Sequence, residues 1–180
     1  SPSSTTSTSS TTSNAPISSP SLKRKISVGI KEQYFSMTSL ARYSLAKARL
    51  SSFKNNVISV LNELKKKGCN LNVLTASPHI TLDACLKRLG IYDLFTNVWS
   101  CDDFHTTKAD PDIYRMAAEQ IGESIENILF LDDNLNADLT AKEAGMKVCG
   151  VYDESSEDYV DQMKAATDFY IYDFQELLDL

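Results

Sequence analysis

Apolar positions along the chain fall into two alternating rhythms from residue 56 onward. Val57, Val60, Leu61 and Leu64 recur at three- and four-residue spacing, which puts them on one face of a helix. Lys65, Lys66 and Lys67 follow where positive charge suits the negative end of the helix dipole, and Gly68 closes the element. Beyond it come short apolar runs at 71–74, 97–100, 127–131, 147–151 and 169–172, each apolar enough to be covered on both faces of a sheet. Between them the helical period returns at 80–89, 111–121, 136–144 and 156–166. Pro111 fits a first helical turn, where its missing amide hydrogen costs nothing, and Gly90, Gly122 and Gly145 each follow a helix as carboxyl caps do. Strands alternating with helices predict an α/β fold, a Rossmann-like doubly wound parallel sheet.

The pattern weakens towards the amino end. Residues 30–50 are helix-compatible, with Tyr34, Leu40, Tyr43, Leu45 and Ala48 only loosely periodic, and Ile26, Val28 and Ile30 alternate as a strand requires. Residues 1–22 are almost wholly Ser, Thr, Pro and Asn, too poor in apolar surface to offset the entropy of ordering. The organisation expected is a disordered tail over 1–22, a cap remnant or replacement segment over 23–52, and a core over 53–180. The first residue is Ser rather than Met, so processing or a truncated reading frame are both open.

Composition narrows the classes. With 180 residues, 42% of them hydrophobic, the chain can bury one core. No apolar run is long enough for a membrane span and no secretory signal pattern opens the sequence, so a cytoplasmic location is expected. Cys69, Cys85, Cys101 and Cys149 are scattered without metal-ligand spacing and read as buried thiols of a reducing compartment. The net charge of −6 hides an uneven distribution: residues 1–82 carry eleven Lys and Arg against Glu32 and Glu63, and no aspartate precedes Asp83. The basic runs lack the aromatic-studded face of a nucleic-acid surface, so no nucleic-acid or membrane partner is expected. Oligomeric state is not legible.

In a doubly wound sheet, ligands bind beyond the carboxyl ends of the strands, which makes the residues there the candidates. Thr75, followed by Ala76 and Ser77, offers a hydroxyl and amides able to hold a phosphate oxygen, or serves as an ordinary helix cap. Lys108 lies just before the helix begun by Pro111 and would point at the same edge, or into solvent. Asp132 and Asp133 end an apolar strand, where a hard divalent cation would offset their mutual repulsion, magnesium where phosphate is also bound, or they form a strand-end turn before a helix begun by Asn134. His79 could reach a substrate but reads first as a capping or surface residue, as does His105. Asp102 and Asp103 suit a metal's surroundings or a solvated turn equally, and Trp99 is most simply core.

A hydroxyl, a lysine and an acidic pair in that order, each at a strand end, resemble the haloacid dehalogenase-like superfamily. Thr75 is similar to its second motif, Lys108 with Asp110-Pro111-Asp112-Ile113-Tyr114 to its third, and Asp132-Asp133 with the stretch from Ala141 to Gly145 to its fourth. The segment 130–152 resembles the phosphatase and sugar-phosphate mutase branch. The resemblance implies that Thr75 and the amide of Ala76 grip a phosphoryl group, that Lys108 offsets its charge, and that Asp132 and Asp133 seat Mg2+. It also implies an aspartate nucleophile and a second aspartate two residues later that handles the proton, acting on a small phosphorylated metabolite.

That first motif, Asp-x-Asp on the first strand, has no counterpart upstream of Thr75. Glu32 and Glu63 are poor substitutes, and Asp173 follows a strand without a paired acid. The central first strand is therefore expected to be missing, or replaced by 26–30, which brings no carboxylate. Two functions fit: a magnesium-dependent phosphate monoester hydrolase or sugar-phosphate mutase that has lost its first motif and most of its cap and is inactive as this sequence stands, and a non-catalytic phosphate- and magnesium-binding or interaction module. A phosphoacceptor receiver domain uses similar groups but meets the acidic pair first and the lysine last, the reverse of the order here.

Overall fold

A computed structural model of the protein describes residues 25–28 and 56–180. The expected tail and the helix-compatible stretch 30–50 lie outside these residues. Strands β1 (Lys25–Val28), β2 (Leu71–Thr75), β3 (Asn97–Ser100), β4 (Ile128–Asp132), β5 (Lys147–Val151) and β6 (Phe169–Ile171) form one sheet in the order β3-β2-β1-β4-β5-β6. Every pairing is parallel. The helices are α1, described over 56–66, α2 (His79–Leu89), α3 (Pro111–Ile121), α4 (Leu135–Ala144) and α5 (Val160–Ala166).

The central slot is filled. β1 pairs with β2, Ile26 opposite Leu71 and Val28 opposite Val73, and with β4, Val28 opposite Leu131. The first strand is thus replaced rather than missing, and it comes from the segment 23–52, expected to be a cap remnant or a replacement. Its physical reason is the gap it closes: without it β2 and β4 would each present a row of unpaired amides and carbonyls in the middle of the sheet.

Successive side chains of a strand point to opposite faces, and the core divides accordingly. Ile128 and Phe130 of β4 pack with Ile113, Tyr114, Ala117, Ala137 and Ala141 of α3 and α4. Leu131 faces the other way, into a cluster with Val60, Leu61 and Leu64 of α1 and Leu82 and Leu86 of α2. Both clusters are buried, and together they fix the sheet between two helical layers.

The boundaries shift where polar groups intervene. Thr75 and Asp132 are the last residues of their strands, not the first beyond them. The helix expected over 156–166 is split: a 3-10 stretch, Glu154–Tyr159, precedes α5, and Ser156 has non-helical backbone angles. Its hydroxyl donates to the Asp153 carbonyl at 3.1 Å, a local bond that competes with helix continuation.

Candidate functional site

A parallel sheet delivers every strand's carboxyl end to one rim. Thr75 closes β2 there beside Ser100 of β3, and Asp132 closes β4 beside Gly150 of β5. Only β1 stands between β2 and β4, so the Thr75 and Asp132 backbones are two strand spacings apart, about 10 Å. The rim therefore carries the hydroxyl, the lysine and the acidic pair on the same edge.

Thr75 is 3% exposed, and its Oγ1 accepts the amide hydrogen of Ser77 at 3.2 Å. It does not cap the next helix: Pro78 holds that position in α2, with no side-chain cap bond. Ala76 lies exposed in the turn between β2 and α2. The Thr75 hydroxyl thus closes the turn that it begins.

Lys108 reaches the rim from the loop ahead of α3. Asp110 caps that helix, its Oδ1 accepting the Asp112 amide hydrogen at 3.0 Å and its Oδ2 the Thr106 hydroxyl hydrogen at 2.7 Å. These bonds hold the Asp110 carboxyl below its ordinary pKa. The Lys108 ammonium donates to Asp132 Oδ2 at 2.7 Å, and the two side chains are 22% and 5% exposed. Burial works against the charge on Lys108, but the neighbouring Asp132, and more weakly Asp133, outweigh it and hold the lysine above its ordinary pKa. The other oxygen of Asp132 accepts the Asn134 amide hydrogen at 2.9 Å.

Behind this pair stand two groups that strand-end reasoning does not reach. The Tyr114 hydroxyl lies 2.9 Å from the Lys108 carbonyl and 3.2 Å from that of Ala137, sharing its hydrogen between the lysine's loop and α4. Asp138, on the first turn of α4, is 1% exposed. The sequence signal for both was helical period: Tyr114 lies on the buried stripe with Ala117, and Asp138 three residues before the buried Ala141.

Asp132 and Asp133, 4% and 8% exposed, are adjacent hard-oxygen donors at the rim, a donor set that suits a divalent cation completing its shell from water and phosphate oxygens. Among the described residues no group of three or more His, Cys, Asp or Glu side chains converges as a metal cluster, so Asp138 does not join them as a third ligand.

The remaining candidates have other work. Trp99 is buried, its ring edge-on to Phe104 with centroids 5.7 Å apart. Asp103 belongs to a capping box with Ser100, and His105 ends that 3-10 turn in the left-handed region at φ 54°. Asp173 caps the last turn, Phe174–Asp179, and Glu63 pairs with Lys66 on the surface of α1. Glu32 lies outside the described residues.

Comparison with known proteins gives one answer. The family model for haloacid dehalogenase-like hydrolases matches residues 29–145. YhcW of Bacillus subtilis is 32% identical over 122 residues, 67% of this chain and 55% of that protein. The glyceraldehyde 3-phosphate phosphatase of Methanocaldococcus jannaschii is 28% identical over 144 residues, 79% of this chain and 62% of that one. The chain thus spans a little over half the length of these relatives. Among solved structures, a haloacid dehalogenase family hydrolase from Deinococcus radiodurans, with bound phosphate and sodium, superimposes with a TM-score of 0.65 at 13% identity, over 88% of this chain and 94% of that one.

Proposed function

This chain belongs to the haloacid dehalogenase-like hydrolase family, and from that premise we propose that its rim is a phosphate- and magnesium-binding site of the phosphate-ester hydrolase type, inactive in this sequence for want of a nucleophile. The observation that carries the reading is the half-buried Lys108 to Asp132 bond, which joins the lysine of one loop to the acid at the end of β4 at the mouth of a doubly wound sheet. In that reading Thr75 and the Ala76 amide hold two oxygens of the phosphoryl group of a small phosphorylated metabolite, and Lys108 sets a positive charge against a third. Asp132 and Asp133 hold Mg2+, which neutralises phosphate charge when bound. Tyr114 keeps the lysine's loop in register with α4, so the ammonium arrives without an entropic search.

Turnover in this family type needs a carboxylate at the end of the first strand. β1 ends at Val28, and the residues that follow in sequence are Gly29, Ile30 and Lys31, none of which carries one. The lysine consequently has Asp132 as its anionic neighbour. A chain built this way binds without hydrolysing, which also supports the second reading, a non-catalytic binding module of the cytoplasm. An assay with p-nitrophenyl phosphate and Mg2+ separates these from an active enzyme. The expected result is no turnover above buffer. Robust turnover abolished by Asp133→Asn would mean that another group serves as the nucleophile.

A further inference from the structure

Two arms of the rim, the Thr75–Ser77 turn after β2 and the loop from β3 to Lys108, are joined by a side chain that touches neither phosphate-holding residue. His79, the first residue of α2, places Nδ1 2.9 Å from Asp83 Oδ1 and Nε2 2.6 Å from Asp103 Oδ2. Asp83 is one turn along the same helix. Asp103 belongs to the 3-10 turn Cys101–Phe104 directly after β3, where the same Oδ2 accepts the Ser100 amide hydrogen at 2.9 Å. Ser100 is in turn the register partner of Thr75.

The protonation state follows from the donors required. A carboxylate only accepts, so both ring nitrogens donate only when the imidazole is charged, and a neutral ring would set a lone pair against one carboxylate. Helix stability does not explain the placement. A cation at the start of a helix opposes its dipole, and α2 has neither an acidic residue in its first turn nor a side-chain cap bond. What the position gains is the partner on the other arm. Among the described residues the charged groups that face the ring are Asp83 from its own helix and Asp103 from the turn after β3, and their hydrogen bonds raise the pKa of His79 against its partial desolvation.

We propose that His79 is a pH-sensitive positioning residue, a charged strap that ties the Thr75–Ser77 turn to the Asp103 turn and so sets the spacing between the two phosphate-holding arms. The consequence for ligand binding rests on the phosphate-site reading, but the strap itself does not. Because the folded pKa is raised above the free imidazole value, the strap is complete below about 6.5 and is lost as pH rises through the folded value.

The chain has two histidines, His79 and His105, so the ring signals in a nuclear magnetic resonance titration are assigned with the single variant His105→Gln. The His79 ring should titrate above the ordinary imidazole value, and the backbone amide signals of Ser77 and Lys108 should move with the same midpoint. Asp103→Asn should lower that midpoint and flatten the Lys108 response, and it is read independently of whether His79→Gln folds. A second arm uses inorganic sulfate, a tetrahedral dianion whose charge is constant in this range: affinity should fall severalfold across the midpoint in the wild type and stay level in Asp103→Asn. A His79 ring titrating at or below the ordinary value, or arm amides indifferent to it, would overturn the strap. Sulfate and phosphate failing to bind at any pH would instead reject the phosphate-site reading, with the strap judged on the amide signals alone.

Discussion

Asp138 is a buried carboxylic acid, and among the described residues neither of its oxygens has a hydrogen-bond partner. Burial first, then the charges of Asp132 and Asp133, push its pKa up to about 9. The folded protein therefore keeps a proton that the unfolded chain releases near its ordinary value of about 4, and stability must fall as pH rises between those limits. Asp138→Asn keeps the shape of the neutral acid and removes the charge. Melting of the metal-free protein from about pH 5 to about pH 8.5 should show a steady loss of stability in the wild type and a shallower one in the variant. At the alkaline end the variant should be the more stable by about 1–3 kcal/mol. A wild-type melting temperature that is level across the range would contradict the assignment. Thr75, Asp132 and Asp133 were legible as candidates because strand period puts a residue at a rim, and Lys108 because it stands just before the helix begun by Pro111. Asp138 and Tyr114 showed in the sequence only as positions of helical period, because what a helix residue meets depends on how α3 and α4 pack.

At the scale of elements, the sequence marked the helices and strands from α1 onward but not the contacts between neighbours in the sheet. Gly150 sits in the middle of β5 opposite Tyr170 of β6, and a Cβ at Gly150 would lie 2.8 Å from Tyr170 Cδ2. The tyrosine ring thus lies over bare backbone. Gly150→Ala should cost about 1–3 kcal/mol by chemical denaturation, since the ring must move out of a packed site. Unchanged stability would show that the ring is free to swing aside. Nothing in the run from Lys147 to Val151 distinguishes this glycine from one that merely interrupts a strand, because its reason lies on another strand some twenty residues away. The same holds for α5, whose expected start was displaced by the side-chain bond of Ser156.

The whole molecule is a sheet whose continuity depends on four residues from the low-complexity end of the chain. β1 pairs on both sides, with Ser27 opposite Asn72 of β2 and Phe130 of β4. Proline there would remove an amide hydrogen and place a ring between two ladders, so Ser27→Pro should destabilise the fold by about 3 kcal/mol or more. Retained stability would mean that the sheet does not need this strand at its centre. The alternation of Ile26 and Val28 made such a strand readable, but its insertion between β2 and β4 is a long-range pairing that no local pattern encodes. That insertion brings β2 and β4 to one rim, and Gly29, Ile30 and Lys31, which follow it in sequence, supply no acid, the ground on which we propose binding without hydrolysis. The most direct test is calorimetric titration of inorganic phosphate into the Mg2+-loaded protein, beside Lys108→Met and Asp132→Asn. The account predicts one phosphate per chain, weakened at least about tenfold, or roughly 1.4 kcal/mol, in each variant. Absence of binding in the wild type, or binding that neither substitution alters, would contradict it.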